Sequence, residues 1–307
     1  MKIALFGGTG FVGSYLIDEL IVSGHTPRVL VRPGSESKLS QAQKCEIVTG
    51  DLSDQTAIRE TINKADAVIY LVGIIREFPR KGITFEGLHF TGARNCMDLA
   101  AENKVNRFIL LSANGVKMDG TEYQKTKFLA EQYLKNTSLN WTIFRPSLIF
   151  GDPRGKIEFC SQLRDDMLSL PIPAPLFFPG LIPKNAGGFS MSPVHITDVA
   201  RCFVGALTNE SSIGKTYDLG GESAFTWKAL IDMIAAACGK KKWKIPAPAM
   251  GVKMVAAILD RFSWFPISGD QLTMLLEGNT CDGSKAFGDF NVDPTPFSGK
   301  NLAYLKG

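Results

Sequence analysis

Tyr123 and Lys127 stand four residues apart in EYQKTKFLAEQYL (122–134). On a helix, positions i and i+4 share a face, so phenol and ammonium can meet. An ammonium beside a phenol favours the phenolate, which predicts a Tyr123 pKa below its ordinary value of about 10. A phenol tuned in this way can give or take a proton near neutral pH. The bland alternative is two unrelated residues on one helix, and chance alone supplies such spacings.

GGTGFVG (7–13) is a second constellation. It follows the apolar run KIALF (2–6) and opens the helical periodicity of residues 11–23, the context in which a glycine motif is informative. Gly8, Gly10 and Gly13 fit GxGxxG; Gly7, Gly10 and Gly13 fit GxxGxxG. The first glycines permit a tight turn and let backbone N–H groups approach a pyrophosphate, while Gly13 lets the helix pack against the sheet. Thr9, Phe11 and Val12 complete the loop and place the helix N-terminus toward the anion. A ligand-free glycine-rich turn is the alternative.

The end of the second strand selects the cofactor. An acidic residue there binds the ribose hydroxyl of NAD, whereas arginine accommodates the 2′-phosphate of NADP. The chain reads VLVRPGSESK, with Arg32 in that place, Lys38 as a possible helper and Glu36 too late, on a loop. The expected cofactor is NADP(H), with NAD(H) open; a solvated strand end is the alternative for Arg32. After the third strand, Asp51 is either an acceptor for an adenine amine or a helix cap, with Leu52 beside it. Val72 and Gly73 end the fourth strand, at the crevice where such sheets hold ligands.

The elements that must position these groups alternate through the first half. Strands are expected at 2–6, 28–31, 45–50, 66–73, 107–112 and 140–144, and helices at 11–23, 54–63, 86–103 and 122–136. Such alternation predicts an α/β fold, a Rossmann-type doubly wound parallel sheet with helices on both faces. Residues 1–150 form the dinucleotide-binding domain, with 194–221 returning to it, and 151–307 form a smaller C-terminal substrate lobe. Residues 151–193 are rich in Pro and Gly, and MLSLPIPAPLFFPGLIP (167–183) reads as a rigid apolar loop. A strand over 192–196 leads into a helix over 197–207 capped by Thr197 or Asp198, and helices follow at 226–238, 249–262 and 269–277. The tail from 278 is expected to wrap the surface.

With 307 residues and a net charge of +4, the chain is long enough for a full core and too weakly basic to argue for nucleic acid. The lysines at 240, 241, 242 and 244 read as a solvated turn. Six scattered cysteines form no CxxC pair and His25, His89 and His195 no ligand spacing, so no metal site is expected. Met1 and Lys2 precede only four apolar residues before the glycines, too few for a signal segment. No apolar run reaches the length of a membrane span.

In this order, GGTGFVG, the GDL at 50–52, LLS (110–112), Tyr123-xxx-Lys127, RPSLIFG (145–151) and PVHITDVA (193–200) resemble the short-chain dehydrogenase/reductase superfamily, in its extended and atypical branches. The resemblance covers residues 1–245. It implies that Tyr123 passes a proton to or from a substrate oxygen and that Lys127 also holds the nicotinamide ribose. It further implies that Ser112 lies near the nicotinamide and that Pro146 and Leu148 line it. Two departures stand out: His89 occupies the place of the family's catalytic Asn, and Ala113 that of its Ser or Thr. VGIIRE (72–77), HFTGARN (89–95) and DQLTMLLEGN (270–279) resemble the subgroup containing the nucleotide-binding accessory subunit of respiratory complex I.

Two functions follow as expectations. One is an NADP(H)-dependent oxidoreductase acting on a carbonyl or hydroxyl compound, with an apolar small-molecule substrate suggested by the loop at 167–183. A sugar-nucleotide epimerase fits less well, since Arg154 and Arg164 are the only early candidates to grip a diphosphate. The other is a cofactor-bound structural or assembly protein with a protein or membrane-complex partner, to which helix 249–265 would contribute an apolar face. The expected location is cytoplasm or organelle matrix or stroma, peripheral membrane attachment remaining open.

Overall fold

The computed structural model describes residues 1–180, 182–252 and 268–306. Seven parallel strands form the main sheet. They are β1 (Lys2–Phe6), β2 (Thr26–Val31), β3 (Glu46–Thr49), β4 (Ala67–Tyr70), β5 (Arg107–Leu111), β6 (Asn140–Pro146) and a seventh strand, Lys215–Leu219. Their spatial order is seventh strand, β6, β5, β4, β1, β2, β3. The order reverses between β1 and β4, so the chain leaves these neighbours in opposite directions and opens a crevice at their carboxyl ends. All residues of β4 and β5 are buried, as expected for strands covered on both faces.

Four helices pack on the first six strands: α1 (Phe11–Val22), α2 (Gln55–Ile62), α3 (Gly92–Glu102) and α4 (Glu122–Lys135). Local chemistry starts two of them. Asp54 caps α2 by accepting from the amides of Thr56 and Ala57, and Thr121 with Gln124 forms a capping box at α4. Asp54, at the start of the expected helix, is thus its cap, and Asp51 is not. The helix expected over 86–103 begins instead with a π-helical turn, Glu86–Thr91, before α3. The later helix begins at Ile196, so Thr197 and Asp198 lie inside its first turn rather than ahead of it.

The chain divides into two units. The first comprises Met1–Pro146, Ile196–Leu219 and Gly283–Asp293. Helix Ser284–Phe290 is therefore part of the first unit, where Phe290 packs against Phe144 and Tyr217 at ring distances of 5.5 and 5.0 Å. The tail does not merely wrap the surface: aromatic packing draws it in.

The second unit comprises Ser147–His195, Gly220–Asp282 and Pro294–Gly307, of which Leu181, 253–267 and Gly307 are not described. Its core gathers Phe150, Phe177, Trp227, Ile231, Phe297 and Leu302. The apolar loop expected at 167–183 contains a strand, Ala174–Phe178, which pairs in parallel with Lys244–Pro248. Helices Trp227–Ala237 and Gly269–Glu277 match expectation; most of the helix expected over 249–262 lies outside the described residues. Among the described residues no helix is long and apolar enough to cross a membrane.

Candidate functional site

The glycine loop runs from the end of β1 into α1, whose N-cap is Gly10. Gly7 adopts φ +95°, and a Cβ there would meet the Leu71 carbonyl carbon and the Val72 nitrogen at 3.2 Å. Loop and β4 therefore touch across the reversal point because Gly7 has no side chain. A Cβ on Gly13 would lie 2.4 Å from the Gly7 oxygen and 2.6 Å from the Gly8 Cα. The amides of Thr9, Phe11 and Val12 sit on this turn and the first turn of α1, where among the described residues no side chain caps them. This backbone cradle fits a pyrophosphate.

The rest of the crevice is built on α4. Lys127 is buried, and its Nζ donates to the Leu111 oxygen at the end of β5 at 3.1 Å. A Cβ on Gly73 would stand 3.4 Å from that Nζ. A side chain at 73 would thus stand against the ammonium. The Nζ lies 5.8 Å from the centre of the Tyr123 ring. Burial lowers the Lys127 pKa to about 8, against the opposing pull of Glu131. Burial also pushes the Tyr123 phenol up to about 12. The expected downward shift of Tyr123 is thus reversed, because loss of hydration outweighs attraction to Lys127.

His89 is brought into the same crevice by the π-helical turn. Its Nε2 accepts from the Ile74 amide at 3.0 Å, and its Nδ1 pairs with Thr126 Oγ1 at 3.1 Å. An accepting Nε2 leaves the imidazole proton on Nδ1. Burial, then the Lys127 charge, lowers its pKa to about 2, so the ring is neutral. It meets Tyr123 edge-on at 5.2 Å and stacks on Phe85 at 5.2 Å. His89 therefore links the segment after β4 to α4 and braces the tyrosine ring.

Ser112 is buried at the end of β5, but its hydroxyl donates to Glu131 Oε1 at 2.5 Å. The same carboxylate receives Arg145 Nε at 2.8 Å and Arg145 Nη2 at 2.5 Å, with Lys135 at 3.6 Å. Ser112 thus donates its hydrogen bond to the Glu131–Arg145 ion pair. Sequence reasoning missed Glu131 and Arg145. The signal was present, since Tyr123, Lys127, Glu131 and Lys135 recur every fourth residue along one helical face.

The remaining candidates are spread more widely. Arg32 is exposed just past β2 and stands near Asp51, whose carboxyl it helps to hold below the usual range. The larger cause is Ser53, whose amide and hydroxyl donate to Asp51 Oδ1 at 2.7 and 2.6 Å. Leu52 and Val72 pack against the core of the first unit. The Pro146 carbonyl ends β6 and accepts from the Asn114 amide at 2.9 Å, which fixes the segment after β5. Leu148 belongs to the second unit and packs against its core. Arg164 is engaged by Asp165 at 2.7 Å.

A doubly wound parallel sheet with a glycine loop at its reversal point and a Tyr–Lys pair beside it defines a dinucleotide-binding protein of the short-chain dehydrogenase/reductase type. Residues 7–169 match the model of a family described as NAD(P)H-binding, and the chain belongs to that family. It is similar over 98% of its length to the mitochondrial NADH-ubiquinone oxidoreductase 40 kDa subunit of Neurospora crassa, at 25% identity and covering 78% of that protein. It is 26% identical to the ceramide reductase of Caulobacter vibrioides, over 85% of this chain and 78% of that protein. In structure it resembles the UDP-glucose 4-epimerase of Thermus thermophilus in complex with NAD, at a TM-score of 0.73 and 18% identity, covering 99% of this chain and 97% of that one.

Proposed function

We propose that the protein binds NADP(H) between the glycine loop and Lys127 and reduces an apolar carbonyl compound, with Tyr123 as the proton donor. The observation that carries this reading is Lys127: an ammonium buried beside Gly73, 5.8 Å from the Tyr123 ring. An ammonium carries three donors; one goes to the Leu111 oxygen, and the hydroxyls of a nicotinamide ribose would accept from another. Gly7, Gly10 and Gly13 would hold the pyrophosphate, and Arg32 the 2′-phosphate. When bound, the nicotinamide supplies the hydride. In the reductive direction Tyr123, protonated at neutral pH, would donate to the oxygen that gains charge. Lys127 stabilises the phenolate left behind.

A second reading has its own support. Ser112 is committed to Glu131, and Ala113 offers no hydroxyl. Loss of one donor to the reacting oxygen costs about 10²–10³ in rate. Similarity to a complex I subunit favours a cofactor held for structure or assembly. Both readings share the nucleotide and differ in turnover.

The test measures NADPH and NADH binding to wild type and Arg32→Ala, then NADPH oxidation with a panel of quinones, aldehydes and ketones. Tight NADPH binding weakened in Arg32→Ala, with turnover abolished in Tyr123→Phe, is the expected result. Tight binding without turnover across the panel moves the conclusion to the structural reading, and binding of neither nucleotide overturns both.

A further inference from the structure

The second unit carries apolar surface that its core does not use. Trp243 is 83% exposed, Ile172 57%, Ile245 50% and Leu170 44%. The two segments that carry them adjoin. The Ala174 amide donates to the Trp243 carbonyl at 2.7 Å, and the paired strands run on from Lys244 opposite Ala174. Lys242 Nζ donates to the Leu168 and Leu170 carbonyls at 3.3 and 2.5 Å. Trp243 and Ile245, two apart in extended chain, share one face.

The same segment is basic. Lys240 and Lys241 are exposed, while Lys244 pairs with Asp232. Arg164 and Asp165 pair near Cys238, where Lys240 also acts. Asp166 is the further acid on that turn, so Lys240, Lys241, Lys242, Lys244 and Arg164 outweigh Asp165, Asp166 and Asp232. Cores of protein–protein interfaces favour aromatic residues and arginine but are depleted in lysine. Strand addition by a partner is disfavoured too, because Pro175 in one strand and Pro246 and Pro248 in the other lack amide donors. An exposed indole among aliphatic side chains with a lysine rim matches instead the interface of a bilayer, where Trp sits at headgroup depth and lysines meet anionic lipid.

We propose that the Leu170–Ile172–Trp243–Ile245 patch and its lysines dock the protein onto an anionic membrane surface. This stands apart from the dinucleotide reading, since none of these residues belongs to the nucleotide-binding unit. The test is flotation of the full chain with phosphatidylcholine vesicles that do or do not contain phosphatidylglycerol, at low and high salt. Wild type is expected to bind the anionic vesicles, weakly at high salt. Trp243→Ser and the double variant Lys240→Glu/Lys241→Glu should each bind about tenfold less, with NADPH binding and thermal unfolding retained as controls for the fold. No flotation with anionic vesicles, equal flotation with both vesicle types, or unchanged flotation of both variants overturns the proposal. Concentration-dependent self-association lost in Trp243→Ser, without lipid binding, also overturns it and makes the patch a face between copies of the chain.

Discussion

Burial at Lys127 and Tyr123 drives both groups toward their neutral forms. Lys127 is cationic below about pH 8. NADPH affinity is therefore expected to fall as pH rises through about 8, and to stay flat to higher pH in Lys127→Arg, whose guanidinium keeps its charge; titration calorimetry across pH reads this directly. The linkage has the same origin. Between about pH 8 and the ordinary lysine value of about 10.4, the unfolded chain holds the extra proton, so this group's contribution to stability rises with pH. A different expectation attaches to Glu131, which is fully buried between Ser112 and Arg145. Glu131→Ala should lower unfolding stability by about 3 kcal/mol, since it breaks a buried pair. Ser112→Ala should cost only about 1–2 kcal/mol and leave NADPH affinity unchanged. A large loss of turnover with unaltered stability in Ser112→Ala would return the serine to the catalytic group. Tyr123 and Lys127 were legible because their types and spacing are local. The direction of the Tyr123 shift was not, because it depends on how much water Phe85 and His89 exclude.

Among the elements, the turn from β1 into α1 carries the sharpest expectation. In Gly13→Ala the new methyl meets backbone atoms of Gly7 and Gly8, which cannot rotate away as a side chain can. The loop must open, so NADPH affinity should drop at least about tenfold while the α1 interior gains helix propensity; equilibrium dialysis measures it. Strand and helix boundaries in the first unit agree with the periodicity to within a few residues, since alternating apolar runs and caps such as Asp54 act over short range. Two elements were not legible. The π-helical turn at Glu86–Thr91 leaves the helical pattern almost unchanged in sequence, yet it shifts the register that delivers His89. The strand Ala174–Phe178 lies among prolines, and it forms because Lys244–Pro248 pairs with it from far along the chain.

At the scale of the molecule, both units draw on distant segments. Helix Ser284–Phe290 completes the nucleotide-binding unit, with Tyr217 donating to Asp289 at 2.7 Å, while Phe297, Leu302 and Leu305 enter the core of the other unit. A chain ended after Asp282 is therefore expected to lose cooperative thermal unfolding, as judged by calorimetry, because each unit loses buried apolar contacts at once. Nucleotide acts in the opposite sense. NADPH at about one hundred times its dissociation constant should stabilise the intact chain by about 2.7 kcal/mol, with a smaller effect from NADH at equal concentration.

The sequence alone determined the parallel α/β unit, the glycine loop, the Tyr123–Lys127 pair and the Arg32 position, because each depends on periodicity or spacing over a few residues. Tertiary structure decided the rest. It returned Gly283–Asp293 to the first unit, joined His89 to Thr126 and Ile74, and gave Ser112 and Arg145 to Glu131. It also set the direction in which burial shifts the Tyr123 phenol. These outcomes rest on burial and on contacts between residues far apart in the chain, and no local pattern encodes how much water such contacts remove.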